Sequence, residues 1–314
     1  MLTRRHIRVK VLQSIYAYNQ TENKDLEKQE KFLLYNMEQM QDLYLLMIQL
    51  FIALRDQAEN YLLISQKKHL ATDLEKKPSK LFIDNKVISL LNSNEIFTDI
   101  IKKKKLNYWE NDSEYIAIIF NELKEKEWYL NFLNKKESTF SEDKEFIIKI
   151  FKDIIAPNEK LYEYLEDKRL TWLDDFPLVN TLLLKMLQKI TKKNINTILI
   201  PEVYKNKEDK EYALQLFQKV IINEDELSEE IDSKTPNWDK ERIAEIDMII
   251  LKMGISEFLF FPSIPVRATI NEYLEVSKEY STPKSCSFIN GILDKMVKDL
   301  TKVEKLNKIG RGLN

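Results

Sequence analysis

Glycine is scarce in this sequence, and that shortage constrains the fold more than any other feature. The chain has 314 residues but 4 glycines and 8 prolines, against roughly 22 and 16 at average usage. Strand-rich folds and nucleotide-binding α/β folds use glycine in tight turns and phosphate loops. Gly254, Gly291, Gly310 and Gly312 have neither the spacing of a Walker loop nor a place to open a dinucleotide-binding helix. The composition therefore predicts an all-helical protein.

Charge and cysteine content narrow the classes of function. The 49 basic and 51 acidic side chains give a formal charge of −2, so any nucleic-acid binding must be local to a patch. A single cysteine, Cys286, excludes an internal disulfide, and with only His6 and His69 no Cys/His zinc site is expected. The basic first residues precede no secretory segment, and the most apolar run, 43–54, is too short to span a bilayer. We expect a cytoplasmic protein without a membrane segment.

Apolar residues spaced by three and four predict helices along most of the chain. The first covers Thr3 to Tyr18 with Thr3 as its N-cap, and residues 25–66 form one or two long helices. Further helical patterns cover 84–106, 113–134, 142–155, 158–169, 176–193 and 207–222. Residues 197–200 carry a weak strand signal that is too short to found a sheet. The positive run 102–105 fits either a solvated helix end or a phosphate contact.

The last third of the chain carries clearer signals. Residues 246–261 are apolar nearly all round, which is typical of a buried central helix, and Gly254 indicates close approach of a neighbouring helix. The next helix covers 269–278, where Thr269 and Glu272 can form a capping box if the helix begins that late. Ser281-Thr282-Pro283 opens the final helix. Its predicted buried stripe contains Ile289, Ile292 or Leu293, Met296 and Leu300.

Catalytic constellations are weak in this sequence. Cys286 with a distant histidine could form a nucleophile pair, but its place at the start of an apolar stripe favours a core role. Close acidic pairs such as Asp174-Asp175 are expected by chance among 51 carboxylates, so they carry no signal for acid–base chemistry. We expect no metal and no cofactor.

The first helix could hold an anionic partner. Arg4, Arg5 and Arg8 lie in its first turns, where cations face the positive end of the helix dipole and an anion would offset the cost. Arg4 and Arg8 lie one turn apart with Arg5 beside them, so their guanidinium groups could line a phosphate track. A solvated helix start is the alternative.

The start of the final helix is a second candidate. Its free backbone N–H groups, the Ser285 hydroxyl and the Lys284 ammonium suit a phosphate. Phe288 follows one turn later on the face of Ser285, where it could stack on an unpaired base. The alternative is that Phe288 belongs to the core.

Three segments carry an ordered series of motifs. The first is Arg4-Arg5-His6-x-Arg8 followed by Leu12-Gln13-Ser14-Ile15-Tyr16. The second runs from Trp238-x-x-x-Arg242 through Asp247 and Glu257 to Ile264-Pro265-Val266-Arg267-x-Thr269-Ile270-Asn271-Glu272. The third is Ser285-x-x-Phe288-Ile289-Asn290-Gly291-Ile292-Leu293-Asp294. In this order the motifs resemble the NusB family of bacterial antitermination factors.

The resemblance implies an all-helical, NusB-like bundle of two small subdomains without enzymatic activity. It also implies binding of single-stranded boxA RNA from ribosomal RNA leaders, together with the ribosomal protein NusE, in an RNA polymerase antitermination complex. A homodimer is left open. By position, the implied RNA-binding residues are Arg4, Arg5, Arg8, Tyr16, Lys284, Ser285 and Phe288. The implied NusE contacts are Asp247 and Glu257, while Trp238, Arg242, Asn271, Asn290 and Gly291 are interpreted as structural. Relatives often carry an acidic residue where Lys284 stands.

Length separates this chain from that family, whose typical members are about half as long. Residues 21–204 contain no motif that aligns. We therefore expect 1–20 to form the basic helix of the core, 21–204 a large helical insertion that partly replaces a core helix, and 205–314 the rest of the core. The insertion could cover the RNA surface, extend it or bind another partner.

Two rival functions differ from antitermination by RNA binding. One is a helical protein-interaction module in transcription or ribosome biogenesis without sequence-specific RNA binding. The other is an RNA methyltransferase, which would need a glycine-bearing cofactor loop and a catalytic cysteine in a following α/β domain. We do not expect the second.

Overall fold

The computed structural model describes residues 1–22, 24–66, 79–234 and 243–313, and these ranges are helical without a strand. The chain divides into two compact units. The central unit consists of Met1 and Glu38–Val203, and the terminal unit consists of Leu2–Met37 and Tyr204–Asn314. No helix in the described ranges is long and apolar enough to cross a membrane. The motif residues Trp238 and Arg242 lie outside the described residues.

Two helices open the chain. Helix α1, Arg4–Asn19, begins after the predicted N-cap Thr3, whose hydroxyl accepts a hydrogen bond from the backbone N–H of His6. The backbone N–H of Thr3 donates in return to the His6 ring at Nδ1, which completes a capping box. Helix α2, Leu26–Gln66, is continuous, and no proline or glycine interrupts it. Its residues up to Met37 belong to the terminal unit and those from Glu38 to the central unit.

Short helices complete the central unit. They are α3 (Lys86–Asn92), α4 (Glu95–Lys104), α5 (Tyr108–Asn111), α6 (Ser113–Lys124), α7 (Glu127–Leu133), α8 (Phe140–Ile150), α9 (Glu159–Lys168), α10 (Phe176–Lys189) and α11 (Ile195–Ile198). A π-helical turn, Phe151–Ile155, extends α8, and a 3-10 turn, Leu170–Asp175, precedes α10. The weak strand signal at 197–200 is wrong, because α11 covers its first residues.

The structure breaks two helices that the sequence predicted as continuous. Over 84–106 the Asn94 side chain accepts from the Phe97 N–H and so caps α4 separately from α3. Over 113–134 the chain turns at Glu125 and Lys126, between α6 and α7. Local side-chain hydrogen bonding therefore overrides the apolar periodicity at Asn94, whereas no side-chain cap accompanies the turn at Lys126.

Helix α2 supplies much of the core of the central unit. Two indole groups bond to its backbone: Trp109 donates to the Leu46 carbonyl and Trp172 to the Gln39 carbonyl, both at 2.9 Å. Both tryptophans are buried, and each N–H has a partner, as burial of an indole requires.

The chain returns to the terminal unit through five further helices. They are α12 (Lys207–Ile222), α13 (Glu224–Lys234), α14 (Glu245–Phe260), α15 (Val266–Tyr280) and α16 (Pro283–Lys302), and a 3-10 turn follows at Gly310–Leu313. Helix α14 packs against α1, α12, α13, α15 and α16. This packing confirms the predicted buried central helix. The resemblance predicts one helix over 205–232, but the structure has two, α12 and α13, with Asn223 between them.

The first residues of α15 and α16 test two predictions from the sequence. The prediction for α15 is wrong, and the prediction for α16 is confirmed. Helix α15 begins at Val266, so Thr269 lies inside it and does not cap it. Helix α16 begins after the N-cap Thr282 with Pro283 in its first turn, as predicted. Its predicted apolar stripe is buried, with Ile289, Ile292, Leu293, Met296 and Leu300 each 8% exposed or less.

Two glycines predicted to allow close helix packing differ in their surroundings. A Cβ atom added at Gly254 would lie 2.9 Å from Cδ2 of Leu293, so the glycine does permit close approach. A Cβ added at Gly291 would meet nothing within 4 Å, so the prediction of a close contact is wrong there. The motif residue Asn271, which is interpreted as structural from the sequence, is exposed. It therefore belongs to no buried hydrogen-bond network.

Candidate functional site

The first turns of α1 line a groove of the terminal unit. The groove has a volume of about 1120 Å³, and its walls include Arg4, Arg5, His6, Pro265, Glu272 and Ile309. We call it the arginine groove. The Arg4 and Arg5 side chains are 38% and 43% exposed, so both cations remain accessible to a ligand.

Arg5 is held by a two-point hydrogen bond to a carboxylate of α15. Its Nε donates to Oε2 of Glu272 and its Nη2 donates to Oε1, each at 3.0 Å. The bond to Glu272 raises the pKa of Arg5. The third nitrogen, Nη1, takes no part in this fork. Arg5 is thus oriented and retains donor capacity for an anion.

Arg4 is fixed by an ion pair and by an aromatic ring. Its Nε lies 2.6 Å from Oδ1 of Asp209, and its guanidinium lies 4.2 Å from the ring centroid of Tyr212. Both partners belong to α12. Stacking on a ring restricts the side chain without using its N–H donors.

Arg8 lies on the same helix but is buried. Its Nε and Nη2 donate to Oε1 and Oε2 of Glu257 at 2.7 and 2.9 Å, and the two side chains are 4% and 0% exposed. Glu257 also accepts hydrogen bonds from the hydroxyls of Tyr212, Thr269 and Tyr273. We call these five residues the buried hub.

The hub corrects two expectations from the sequence. Arg8 borders the arginine groove but offers no exposed guanidinium to a phosphate track, because its side chain is 4% exposed and paired with Glu257. Its Nη1 also lies 3.6 Å from Oε2 of Glu272. Glu257 has no exposed surface with which to contact a partner protein. Both residues instead join α1 to α12, α14 and α15, and this holds the first turn of α1 at the arginine groove.

The charge state of the hub follows from its surroundings. Burial alone would raise the pKa of Glu257, but Arg8 and the hydroxyl donors outweigh burial and lower the pKa below its usual value. Burial and then the negative charge of Glu257 raise the pKa of Tyr212 and Tyr273. The hub therefore contains one ionised pair and two neutral tyrosines near pH 7.

The start of α16 is more enclosed than the sequence indicated. The Ser285 hydroxyl lies 2.9 Å from the hydroxyls of Ser281 and Thr282, and the side chain of Thr282 accepts from the Ser285 backbone N–H. Ser281 donates to Oδ1 of Asp247 at 2.5 Å. Ser285 and Asp247 are 6% and 4% exposed. The expectations of a free Ser285 hydroxyl for phosphate and of an open Asp247 for a partner are therefore corrected.

Other candidate residues keep exposed surface but lie outside the lining of the arginine groove. Tyr16 on α1 is 42% exposed and Lys284 is exposed, while Phe288 is half-buried. Of the run 102–105, Lys104 forms an ion pair with Asp42 at 2.6 Å and the other three lysines are exposed. In the ranges with described structure, no group of His, Cys, Asp or Glu could hold a metal ion.

The hub partners Tyr212, Thr269 and Tyr273 were missed as a group from the sequence. One signal could have found them: Glu257 is a carboxylate in an otherwise apolar central helix. A buried carboxylate requires a cation and hydrogen-bond donors.

The fold and the site define a class of protein. The terminal unit is an all-helical domain whose first helix is fixed by a buried ion pair and carries exposed arginines beside a groove. Residues 178–298 match the model of the NusB family.

Known proteins of that family are similar over the same part of the chain. NusB from Salinibacter ruber, called a transcription antitermination protein, is 38% identical over 104 residues, which are 33% of this chain and 65% of the relative. The protein of the same name from Clostridium kluyveri is 41% identical over 100 residues, 32% of this chain and 62% of the relative. That from Chloroherpeton thalassium is 33% identical over 129 residues, 40% of this chain and 61% of the relative.

A solved structure of T. maritima NusB is 28% identical and covers 40% of this chain and 87% of that chain, with a TM-score of 0.31. The assignment therefore rests on the sequence matches. A NusB family domain covers the C-terminal part of this chain, and the chain is longer than NusB. The match spans less than two thirds of these curated relatives.

Proposed function

We propose that this protein is an RNA-binding transcription antitermination factor that acts on ribosomal RNA operons. The NusB family domain carries the proposal, since relatives with the matching sequence are named transcription antitermination proteins. In this proposal the protein binds boxA-type single-stranded RNA together with NusE. It acts in the cytoplasm within the RNA polymerase antitermination complex and catalyses no reaction.

Arg4 and Arg5 are the proposed phosphate contacts. Guanidinium groups bind phosphate through paired N–H donors, and less conformational freedom is lost when they are already oriented. Asp209 and Glu272 orient them in the free protein. Lys284 adds an exposed cation, and Tyr16 and Phe288 offer rings for stacking on bases.

Arg8, Glu257, Asp247 and Ser285 are proposed as positioning residues. Each is buried and bonded within the terminal unit. Arg8 and Glu257 hold α1 against α14, and Asp247 with Ser285 holds the start of α16. We infer that they affect RNA or NusE binding by placing exposed neighbours.

The division of the chain into residues 1–20, 21–204 and 205–314 is likewise a proposal. The family match begins at residue 178, inside α10. This start supports the idea that the last part of 21–204 replaces a core helix. The rest of that segment is then an insertion.

The test compares a boxA-like RNA with a scrambled RNA of the same composition by fluorescence anisotropy, with and without NusE. We expect tighter binding of the boxA-like RNA, a larger preference when NusE is present, and weaker binding as salt is raised. Equal affinity for both RNAs in both conditions contradicts the proposal.

A second candidate is a protein-interaction module without sequence-specific RNA binding. The pairing of both exposed arginines with carboxylates favours it, because Asp209 and Glu272 reduce the local positive field. Replacing Arg4 and Arg5 with Ala separates the candidates. RNA binding falls while NusE binding persists under the first, and neither interaction changes under the second.

A further inference from the structure

One segment of the central unit carries lysines and no acidic residue. From 176 to 201 the charged residues are Lys185, Lys189, Lys192 and Lys193, and neither Asp nor Glu occurs. All four lysines are exposed. Within the described part of the chain, none of the four is held by an ion pair. The chain as a whole carries nearly equal numbers of basic and acidic residues, so this segment is more positively charged than the rest of the chain.

The fold brings a fifth lysine to the same place. Lys144 lies on α8, which packs against α10, and its Nζ donates to the Gln188 carbonyl at 3.1 Å. Lys185 and Lys189 are four residues apart on α10 and therefore lie on one face of the helix. We call Lys144, Lys185, Lys189, Lys192 and Lys193 the lysine surface.

The turn after α10 has a fixed shape. The Asn194 side chain accepts from the Thr191 backbone N–H and donates to the Lys189 carbonyl, both at 2.8 Å. The Thr191 hydroxyl accepts from the Asn194 backbone N–H at 3.3 Å. These bonds close the end of α10 and hold the backbone of Lys192 and Lys193 in one arrangement.

The helix dipole explains only part of this arrangement. Cations are favourable near a helix C-terminus, which accounts for Lys189 in the last turn of α10 and for Lys144 at its carbonyls. Lys185 precedes the last turn, and Lys192 and Lys193 follow the helix. Some lysines elsewhere in the unit have carboxylate partners, such as Lys104 with Asp42, Lys135 with Glu142 and Lys168 with Asp112. Others in the described part of the unit, such as Lys136 and Lys152, are exposed without one. The lysine surface differs from these scattered lysines because it gathers several unpaired cations in one short segment without a carboxylate, so it suits an external anion.

We propose that the lysine surface binds the phosphodiester backbone of single-stranded RNA without sequence preference. It would act in addition to the proposed boxA site, as a second contact that neutralises several successive phosphates. Gln188 and Asn196 are exposed near these lysines and can donate to phosphate or sugar oxygens. This inference goes beyond the proposed function, because boxA recognition does not require it.

Two other partners fit the surface less well. Membrane-surface helices require apolar side chains that enter the bilayer, and no large apolar residue in 176–201 is exposed. Protein interfaces are usually centred on buried aromatic or apolar anchors, and the same absence disfavours them. An RNA backbone requires only cations and hydrogen-bond donors.

The test compares two fourfold variants of the full chain. In the first, Lys185, Lys189, Lys192 and Lys193 are replaced with Gln. The matched control replaces Lys80, Lys136, Lys152 and Lys160 with Gln, which are exposed lysines scattered over the same unit. Both variants change the charge equally. The probes are a fluorescein-labelled oligouridylate, which lacks a boxA sequence, and a labelled polyglutamate peptide. Anisotropy is recorded over a salt series, and circular dichroism verifies that each variant is folded.

We expect the wild type and the control to bind oligouridylate with the same salt dependence. The plot of log affinity against log salt has a negative slope. Its magnitude should be smaller for the first variant than for the wild type by about 0.7 for each lost phosphate contact. Equal slopes for the wild type and the first variant, an equal fall in both variants, or binding of polyglutamate but not oligouridylate would overturn the proposal. Each of these results leaves the boxA comparison unaffected, so failure here is distinguishable from failure of the proposed function.

Discussion

Two arginine–glutamate pairs of the terminal unit share their geometry and differ in burial. Arg8 meets Glu257 at 2.7 and 2.9 Å, and Arg5 meets Glu272 at 3.0 Å through both bonds. The first pair is 4% and 0% exposed, and the second is 43% and 27% exposed. A buried cation must keep its partner, whereas an exposed one can exchange a carboxylate for a phosphate. Burial therefore assigns one pair to the fold and leaves the other available to a ligand.

Removing one carboxylate from each pair should give the largest difference. We expect Glu257→Ala to lower the free energy of unfolding by about 3–5 kcal/mol, because it leaves Arg8 buried without its partner. Glu272→Ala should cost less, because water can solvate Arg5 and because Arg8, whose Nη1 lies 3.6 Å from Oε2 of Glu272, keeps its closer partner Glu257. Urea denaturation followed by circular dichroism measures both. Similar losses for the two variants would show that burial does not separate the pairs.

Acid should weaken the buried pair in a defined direction. The folded-state pKa of Glu257 is lowered from 4.5. Its stabilisation is therefore fully present above that value and is lost as the pH falls through the folded-state pKa. We expect the wild type to lose stability in this acid range and Glu257→Gln to show a shallower dependence. Denaturation midpoints at a series of pH values test this, and parallel curves for the two proteins would contradict it.

The exposed pair should respond through RNA binding and hardly through stability. We expect Arg5→Gln to weaken binding of a boxA-like RNA and to reduce the salt slope by about 0.7, because one phosphate contact is lost. Glu272→Gln should strengthen binding, because it removes a carboxylate that competes with phosphate for Arg5. Anisotropy titrations of both variants measure this. Equal weakening by the two substitutions argues for a structural role of the pair.

Substitutions at two glycines of adjacent helices, Gly254 and Gly291, should give the smallest difference in stability. Gly291→Ala should raise stability by about 0.5–1 kcal/mol, because alanine favours a helix interior and its Cβ meets open space. Gly254→Ala should not be stabilised in this way, because the added Cβ would lie 2.9 Å from Cδ2 of Leu293 and the crowding would offset the helix preference of alanine. Thermal unfolding of both variants decides the order. An equal gain at the two positions would contradict the packing described for Gly254.

The sequence predicts well where a local signal is sufficient. Thr3 and the Thr282-Pro283 pair mark the starts of α1 and α16 because a cap depends on neighbouring residues. The apolar run that became α14 predicts its burial for the same reason. Asn94 is also a local cap. Apolar periodicity continues on both sides of it, however, so the sequence predicts one helix where the structure has α3 and α4.

The burial of Arg8 could not be predicted in this way. Its partner Glu257 lies 249 residues away in sequence, so no local signal identifies the partner. Helix periodicity gives one indication, because Leu12 and Ile15, which follow Arg8 by four and seven residues, are both buried. Arg8 therefore lies on the apolar stripe of α1. A charge on such a stripe requires a buried partner, and only the tertiary structure identifies that partner.

The most direct test of this account uses Arg4→Gln/Arg5→Gln with NusE and a boxA-like RNA. We predict that the double variant keeps the circular dichroism spectrum of the wild type but has a lower unfolding midpoint, because Asp209, which is 7% exposed, loses the cation that lies 2.6 Å away. Its affinity for this RNA should fall. The magnitude of the slope of log affinity against log salt should decrease by about 1.4, which corresponds to two phosphate contacts. A folded double variant that binds this RNA with wild-type affinity and salt dependence would contradict the assignment of RNA binding to the exposed arginines.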